Sequence, residues 1–104
     1  MPNANYLKGR SREYSYRNEL YAEGYDTVRR TRGSHSPDDL IATHQDECLH
    51  VQLKATVNKI TPRSFATEIE EFKKYKLPIS CFKRFVAYTS HKGQRGWHVL
   101  YKDY

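Results

Sequence analysis

Asp39, Gln52 and Lys54 offer a carboxylate, an amide oxygen and an amine within one short stretch of the chain. Leu40 to Thr43 is a short apolar run, Gln45-Asp46-Glu47 supplies a turn, and Cys48 to Ala55 is mostly β-compatible, so this stretch predicts a hairpin. Side chains alternate between the faces of a strand, so Gln52 and Lys54 share a face and Leu53 points the other way. Pairing the strands brings Asp39, at the mouth of the first, to the same end as Gln52 and Lys54. A carboxylate, an amide oxygen and an amine then converge at the edge of a small sheet.

Hydrolysing a phosphodiester in a polyanion calls for a hard cation that stabilises charge on the phosphate and supplies a hydroxide-like water. Magnesium takes oxygen ligands, typically one or two carboxylates, a carbonyl and waters. Asp39 offers a carboxylate, Gln52 an amide oxygen and Leu53 a backbone carbonyl, while Lys54 can orient the attacking water or neutralise phosphate charge. Glu13, on a preceding helix, can complete the shell. The histidines, His35, His44, His50, His91 and His98, have no HxxxH or similar metal spacing, and no P-loop, GxSxG or Cys/His nucleophile pairing is present. On its own, an Asp followed on the next strand by x-Lys also arises by chance.

The elements that must position these residues belong to a chain of 104 residues, enough for one domain with a modest core, and residues 1–104 are read as a single unit. Eighteen Lys and Arg against twelve Asp and Glu leave a net charge of +6 and a pI near 9.4, which suits a polyanionic partner, with nucleic acid the first candidate. Solubility alone also explains a basic balance. No apolar run approaches the ~20 residues that span a bilayer, and Met-Pro-Asn-Ala-Asn lacks a signal-peptide layout. Cys48 and Cys81 fall in no CxxC pair, which argues against a disulfide scaffold or zinc knuckle and for a reduced, cytoplasmic setting. The nine tyrosines serve either a Tyr-built core or stacking on bases.

Asn5 reads as an N-cap and Tyr6 to Glu23 as a helix closed by Gly24. Gly9, Glu13, Tyr16 and Leu20 fall on one stripe, broadened by Tyr14 and Tyr21. Glu13 therefore sits beside the packing face, where it either pairs with Arg10 or Arg17 one turn away or reaches toward the hairpin acids. Tyr25 to Arg32 predicts a strand whose Arg29, Arg30 and Arg32 suit a charged edge or a DNA-facing position. Gly33 to Pro37 is a loop in which Ser34 and Ser36 can cap a turn or donate to phosphate. Pro62, with Thr61 as cap, predicts the start of a second helix with Phe65, Ile69 and Phe72 on its apolar face, ending at Leu77-Pro78. Cys81 to Thr89 and Trp97 to Lys102 predict two further strands joined by a basic turn that holds Lys92. The order α-β-β-β-α-β-β implies an α/β fold, a mixed sheet of about five strands flanked by helices.

Taken together, these residues resemble a known family. Lys8-Gly9 followed by Glu13, Glu23-Gly24-Tyr25, the Arg-rich strand with Gly33-Ser34, Asp39-Leu40-Ile41-Ala42, Gln52-Leu53-Lys54 and Gly96-Trp97 resemble the archaeal-type Holliday-junction resolvases and their viral and phage relatives, within the PD-(D/E)xK nucleases. The likeness runs nearly the full length and is loosest from Thr56 to Glu70. It implies a restriction-endonuclease-like core and a catalytic set of Glu13, Asp39, Gln52 and Lys54, supported by Ser34. Asp39 is chosen over Asp38 because Leu-Ile-Ala follows it directly. The metal would be held by Glu13, Asp39, Gln52 and the Leu53 carbonyl, with Mg2+ as cofactor and Mn2+ able to substitute. Lys8, Arg10, Arg29, Arg30, Arg32, Ser34 and Lys92 are the expected DNA contacts. The family usually has Glu where this chain has Gln52, and an amide brings no charge, so metal affinity should fall.

The implied function is a metal-dependent endonuclease that cuts four-way DNA junctions as a homodimer, since a junction of approximate twofold symmetry needs two matched nicks. Two alternatives keep the fold. One is a nuclease acting on other branched or linear DNA; the other, encouraged by Gln52, is a non-catalytic DNA-binding module.

Overall fold

The structure, a computed structural model, describes residues 4–31, 38–77 and 80–103, with side chains described from residue 11 to residue 102 within them. In chain order the elements are α1 (Ala4–Ala22), β1 (Thr27–Arg30), β2 (Leu40–His44), β3 (Glu47–Thr56), α2 (Ala66–Lys74), β4 (Cys81–Thr89) and β5 (Gly96–Asp103). That is the order read from the sequence. No helix among the described residues is long and apolar enough to cross a membrane.

Gly24 ends α1 as expected. Its φ of 108° is open to glycine at no steric cost. Its N–H donates to the Tyr21 carbonyl at 3.0 Å while the Tyr25 N–H reaches the Leu20 carbonyl at 3.3 Å. These two bonds satisfy carbonyls the helix would otherwise leave open. Tyr16 and Leu20, 4% and 0% exposed, pack with Val28, Leu40, Ala42, Leu49, Val51 and Val86 as one cluster. Burying a side chain the size of Leu20 contributes roughly 1.5–3 kcal/mol. Arg84 ties the end of α1 to β4: its guanidinium donates to Glu23 Oε2 at 2.9 Å and to the Tyr16 hydroxyl at 3.2 Å.

The strands lie side by side in the order β1-β2-β3-β4-β5. Only β3 and β4 run parallel; the other neighbours are antiparallel. A tight turn cannot join parallel neighbours, so the chain crosses over through α2. On the face away from α1, Phe72 and Phe85 are fully buried, their ring centroids 6.5 Å apart, with Phe65 5.8 Å from Phe85. The middle strand β3 is covered on both sides, and the consecutive residues Val51 and Gln52 are both buried.

Several expectations are corrected here. The first strand is shorter than Tyr25 to Arg32 and spans four residues at the sheet edge. The second helix begins at Ala66, not Pro62. Thr61 and Ser64 close a turn on themselves, the Thr61 N–H donating to Ser64 Oγ at 2.8 Å, and Phe65 takes a left-handed φ of 57° before the helix starts. Its end at Lys74 precedes Leu77, and Pro78 lies outside the described residues. Cys48 and Cys81 face one another across β3 and β4 with Cα atoms 4.5 Å apart and are joined as a disulfide. Their spacing in the sequence predicts no such pairing. A parallel register formed across 33 residues brings them together, which local spacing does not reveal. The cysteines therefore give no support to a reducing compartment.

Candidate active site

The β2–β3 ladder ends at Leu40 opposite Val51, and Asp39 is the residue just beyond it. The Asp39 N–H donates to the Val51 carbonyl at 2.7 Å, and its own carbonyl accepts from the Thr31 N–H at 3.0 Å. The next inward-facing N–H of β3, that of Leu53, has no strand left to pair with. Asp39 Oδ2 accepts from it at 2.7 Å, which fixes the carboxylate against β3.

Strand alternation puts Asp39, Gln52 and Lys54 on the sheet face opposite Leu40 and Val51, because antiparallel partners share a face. A cavity of about 170 Å³ opens at this end of the sheet, lined by Arg12, Glu13, Asp39, Leu53, Lys54 and Ala55. That is far above the ~10–15 Å³ one water needs. Three of the expected catalytic residues, Glu13, Asp39 and Lys54, thus meet around one space, and Lys54 forms no salt bridge among the described residues.

Crowding marks the electrostatics. Asp39 is pushed up from its ordinary 3.8 to about 6, mainly by burial and further by the nearby Glu13 and Asp38 carboxylates, against the Leu53 N–H and Lys54, which favour its ionised form. Glu13 pairs through Oε2 with Arg30, whose guanidinium lies 5.7 Å from the Tyr14 ring centroid. Helical spacing offers Arg10 or Arg17 as its partner. Arg17 instead lies over Tyr14 at 4.7 Å, and among the described side chains the strand supplies the cation.

Arg30, expected on DNA, is thereby turned inward. Arg29 and Lys92 are exposed as expected. The Ser90 N–H reaches the Thr56 carbonyl at 3.2 Å, which sets the Lys92 turn near the Lys54 end of β3. Arg32 and Ser34 lie outside the described residues, as do the side chains of Lys8 and Arg10.

Gln52 departs from its expected place. It is 7% exposed, does not line the cavity, and stands beside Phe85 in the β3–β4 register. An amide is far cheaper to bury than a carboxylate, so this position tolerates Gln where Glu would demand a partner. Its Oε1 is buried without a hydrogen-bond partner. Sequence reasoning missed Arg12, which joins the cavity with its guanidinium 5.9 Å from the Tyr88 ring centroid. The signal was there: Arg12, Tyr16 and Leu20 step by four along one helix stripe, and Arg12 is the turn that reaches past the sheet.

The donor set fits a hard divalent cation. Glu13 and Asp39 each keep one carboxylate oxygen without a hydrogen bond among the described residues and both line the cavity, whereas the orphaned Gln52 oxygen is not part of its lining. Two carboxylates with space for water around them are what Mg2+ or Mn2+ takes. A larger cavity of about 510 Å³ lies at the opposite end of the sheet, beside Tyr25, His44 and Glu47, and in it Arg84 Nη1 is paired with Glu23. No protein-family model matches the chain, and no curated protein is significantly similar to it.

Proposed function

We propose that the protein is a metal-dependent endonuclease with a restriction-endonuclease-like core that cuts branched DNA, the four-way junction above all, as a homodimer. The observation that carries this reading is the meeting of Glu13, Asp39 and Lys54 around one cavity, with Asp39 raised to about 6 by burial and the neighbouring acids. A carboxylate pair that repels itself while an amine stands by is the electrostatic state a bound cation relieves.

Asp39 and Glu13 would hold the cation through their free oxygens, with the Leu53 carbonyl beside them. When bound, such an ion supplies charge neutralisation at the scissile phosphate and a water of lowered pKa. Lys54 orients the attacking water or donates to a phosphate oxygen. Arg12 neutralises a second phosphate charge at the rim. Arg29 and Lys92, joined by Lys8, Arg10, Arg32 and Ser34, would carry the flanking backbone of the DNA, in keeping with the net charge of +6. Two nicks placed symmetrically across a junction require two such sites, hence a twofold dimer. Val99, 53% exposed on the edge strand β5, is an apolar residue suited to the contact.

Two observations favour a second reading, a DNA-binding module without cleavage: Gln52 is withdrawn from the cavity and Glu13 is already paired with Arg30. Cleavage of a four-way junction and of linear duplex, with and without Mg2+ or Mn2+, separates the two. Preferential nicking of the junction is expected, with Asp39→Ala inactive yet still binding and Lys54→Ala slowed about 10²–10³-fold. Asp39→Ala cutting at the parent rate overturns the catalytic assignment. Binding without cutting in either metal leaves the module reading.

A further inference from the structure

Cys48, His50 and Cys81 bring three soft ligand atoms within 4.8 Å of one another. Cys48 and His50 stand two residues apart on β3 and so share a face, and Cys81, the first residue of β4, is the register partner of Cys48. All three are partly buried. Behind the imidazole sits Asp38, a carboxylate only 3% exposed, whose Oδ2 contacts His50 Nδ1. A histidine that gives one ring N–H to a buried carboxylate has its tautomer set and its other nitrogen, here Nε2, left with a free lone pair.

We propose that in the reduced protein Cys48, Cys81 and His50 bind a zinc ion, with Asp38 orienting the imidazole and water in the fourth position. The site is separate from the Asp39 cavity and takes a different class of metal: two thiolates and an imidazole select zinc over magnesium. Ligands held ~2.0–2.3 Å from a tetrahedral ion lie about 3.5 Å apart, so the cluster closes on the metal through side-chain rotation, the strands keeping their register. Zinc and the disulfide exclude one another. A phosphine reductant gives two electrons to the Cys48–Cys81 bond and becomes its oxide, water supplying the oxygen and the two thiol protons. Zinc then displaces those protons as the thiolates bind. The junction of β3 and β4 is thus either cross-linked or metal-bound, according to redox state.

The test uses the full chain, reduced by a phosphine, freed of metal and titrated with Co2+ as a spectroscopic probe for zinc. One equivalent should bring a thiolate-to-cobalt charge-transfer band and tetrahedral d–d bands, which excess Zn2+ abolishes and Mg2+ leaves unchanged. The oxidised protein should show neither. Cys48→Ser and Cys81→Ser should each lose the charge-transfer intensity of one thiolate, and Asp38→Asn should keep the spectrum but bind about 10–100-fold more weakly. Circular dichroism reports whether each variant is folded. Because a variant could fail to fold, the parent carries an independent measurement: Zn2+ should slow reaction of its two thiols with an aromatic disulfide reagent. A reduced parent without the charge-transfer band and without zinc protection overturns the site. Folded Cys48→Ser and Cys81→Ser proteins with the full parental spectrum overturn it equally.

Discussion

The cost of ionising Asp39 can be measured directly by replacing it with asparagine. The Asp39 carboxyl titrates at about 6 in the fold against an ordinary 3.8. The folded protein therefore holds a proton there that the unfolded chain has released, and stability must fall as pH rises through that window. At about 1.36 kcal/mol per pH unit, the rise corresponds to about 3 kcal/mol of lost stability by pH 7.5, an upper figure because the group keeps some exposure to solvent. An asparagine side chain has no charge to bury, and its amide oxygen can still accept from the Leu53 N–H. In metal-free buffer the Asp39→Asn protein should match the parent near pH 3.5 and exceed it by ~2–3 kcal/mol at pH 7.5. Urea unfolding at both pH values, with chelator present, gives the difference. Mg2+ should raise the stability of the parent, by about 2.7 kcal/mol at a hundredfold excess over Kd, and that of the variant by much less. A stability gap that does not change with pH, or an Asp39→Asn protein weaker than the parent at pH 7.5, would refute the view that burial and neighbouring acids strain this carboxylate.

Four other outcomes follow from the packing and the charge layout. Gln52→Leu removes a buried acceptor that has no partner and should stabilise the metal-free protein by about 1 kcal/mol in thermal or urea unfolding; if the amide oxygen also serves the metal, the Mg2+ needed for half-maximal cleavage rises in the same variant. Arg29→Ala and Lys92→Ala should each flatten the slope of log DNA affinity against log salt by about 0.9. Arg30→Ala, which unpairs Glu13, should lower stability, and a salt-slope change equal to that of Arg29→Ala would show that Arg30 contacts phosphate after all. Phe72→Ala empties the centre of the α2 face, where Phe72 is fully buried, and should cost about 3–5 kcal/mol in denaturant unfolding with little change in DNA affinity.

The local content of the fold was legible in the chain. Gly24 had to stop α1 because only a residue free at positive φ closes a helix this way, and β4 spans the residues its β-compatible run predicted, Cys81–Thr89. The placement of Asp39 with Lys54 followed from the twofold alternation of a hairpin, and both residues line one cavity. The second helix was misplaced at its start because Thr61 and Ser64 bond each other, a choice that proline and threonine alone do not announce.

Whatever depends on the period of the backbone can be read along the chain: the order of elements, the faces of the strands and the stripe that carries Glu13. Which distant groups meet is settled only when the chain has folded. Folding brought Arg30 of the first strand to Glu13, and added Arg12 to the cavity. It also set Cys48 against Cys81 through a parallel crossover, and sank Gln52 beside Phe85. Those outcomes depend on through-space distance and on the removal of water, and neither is encoded in the spacing of residues along the chain. The same reason explains why Asp39 titrates near 6: its charge is costly only where the fold has taken its solvent away and set other carboxylates beside it.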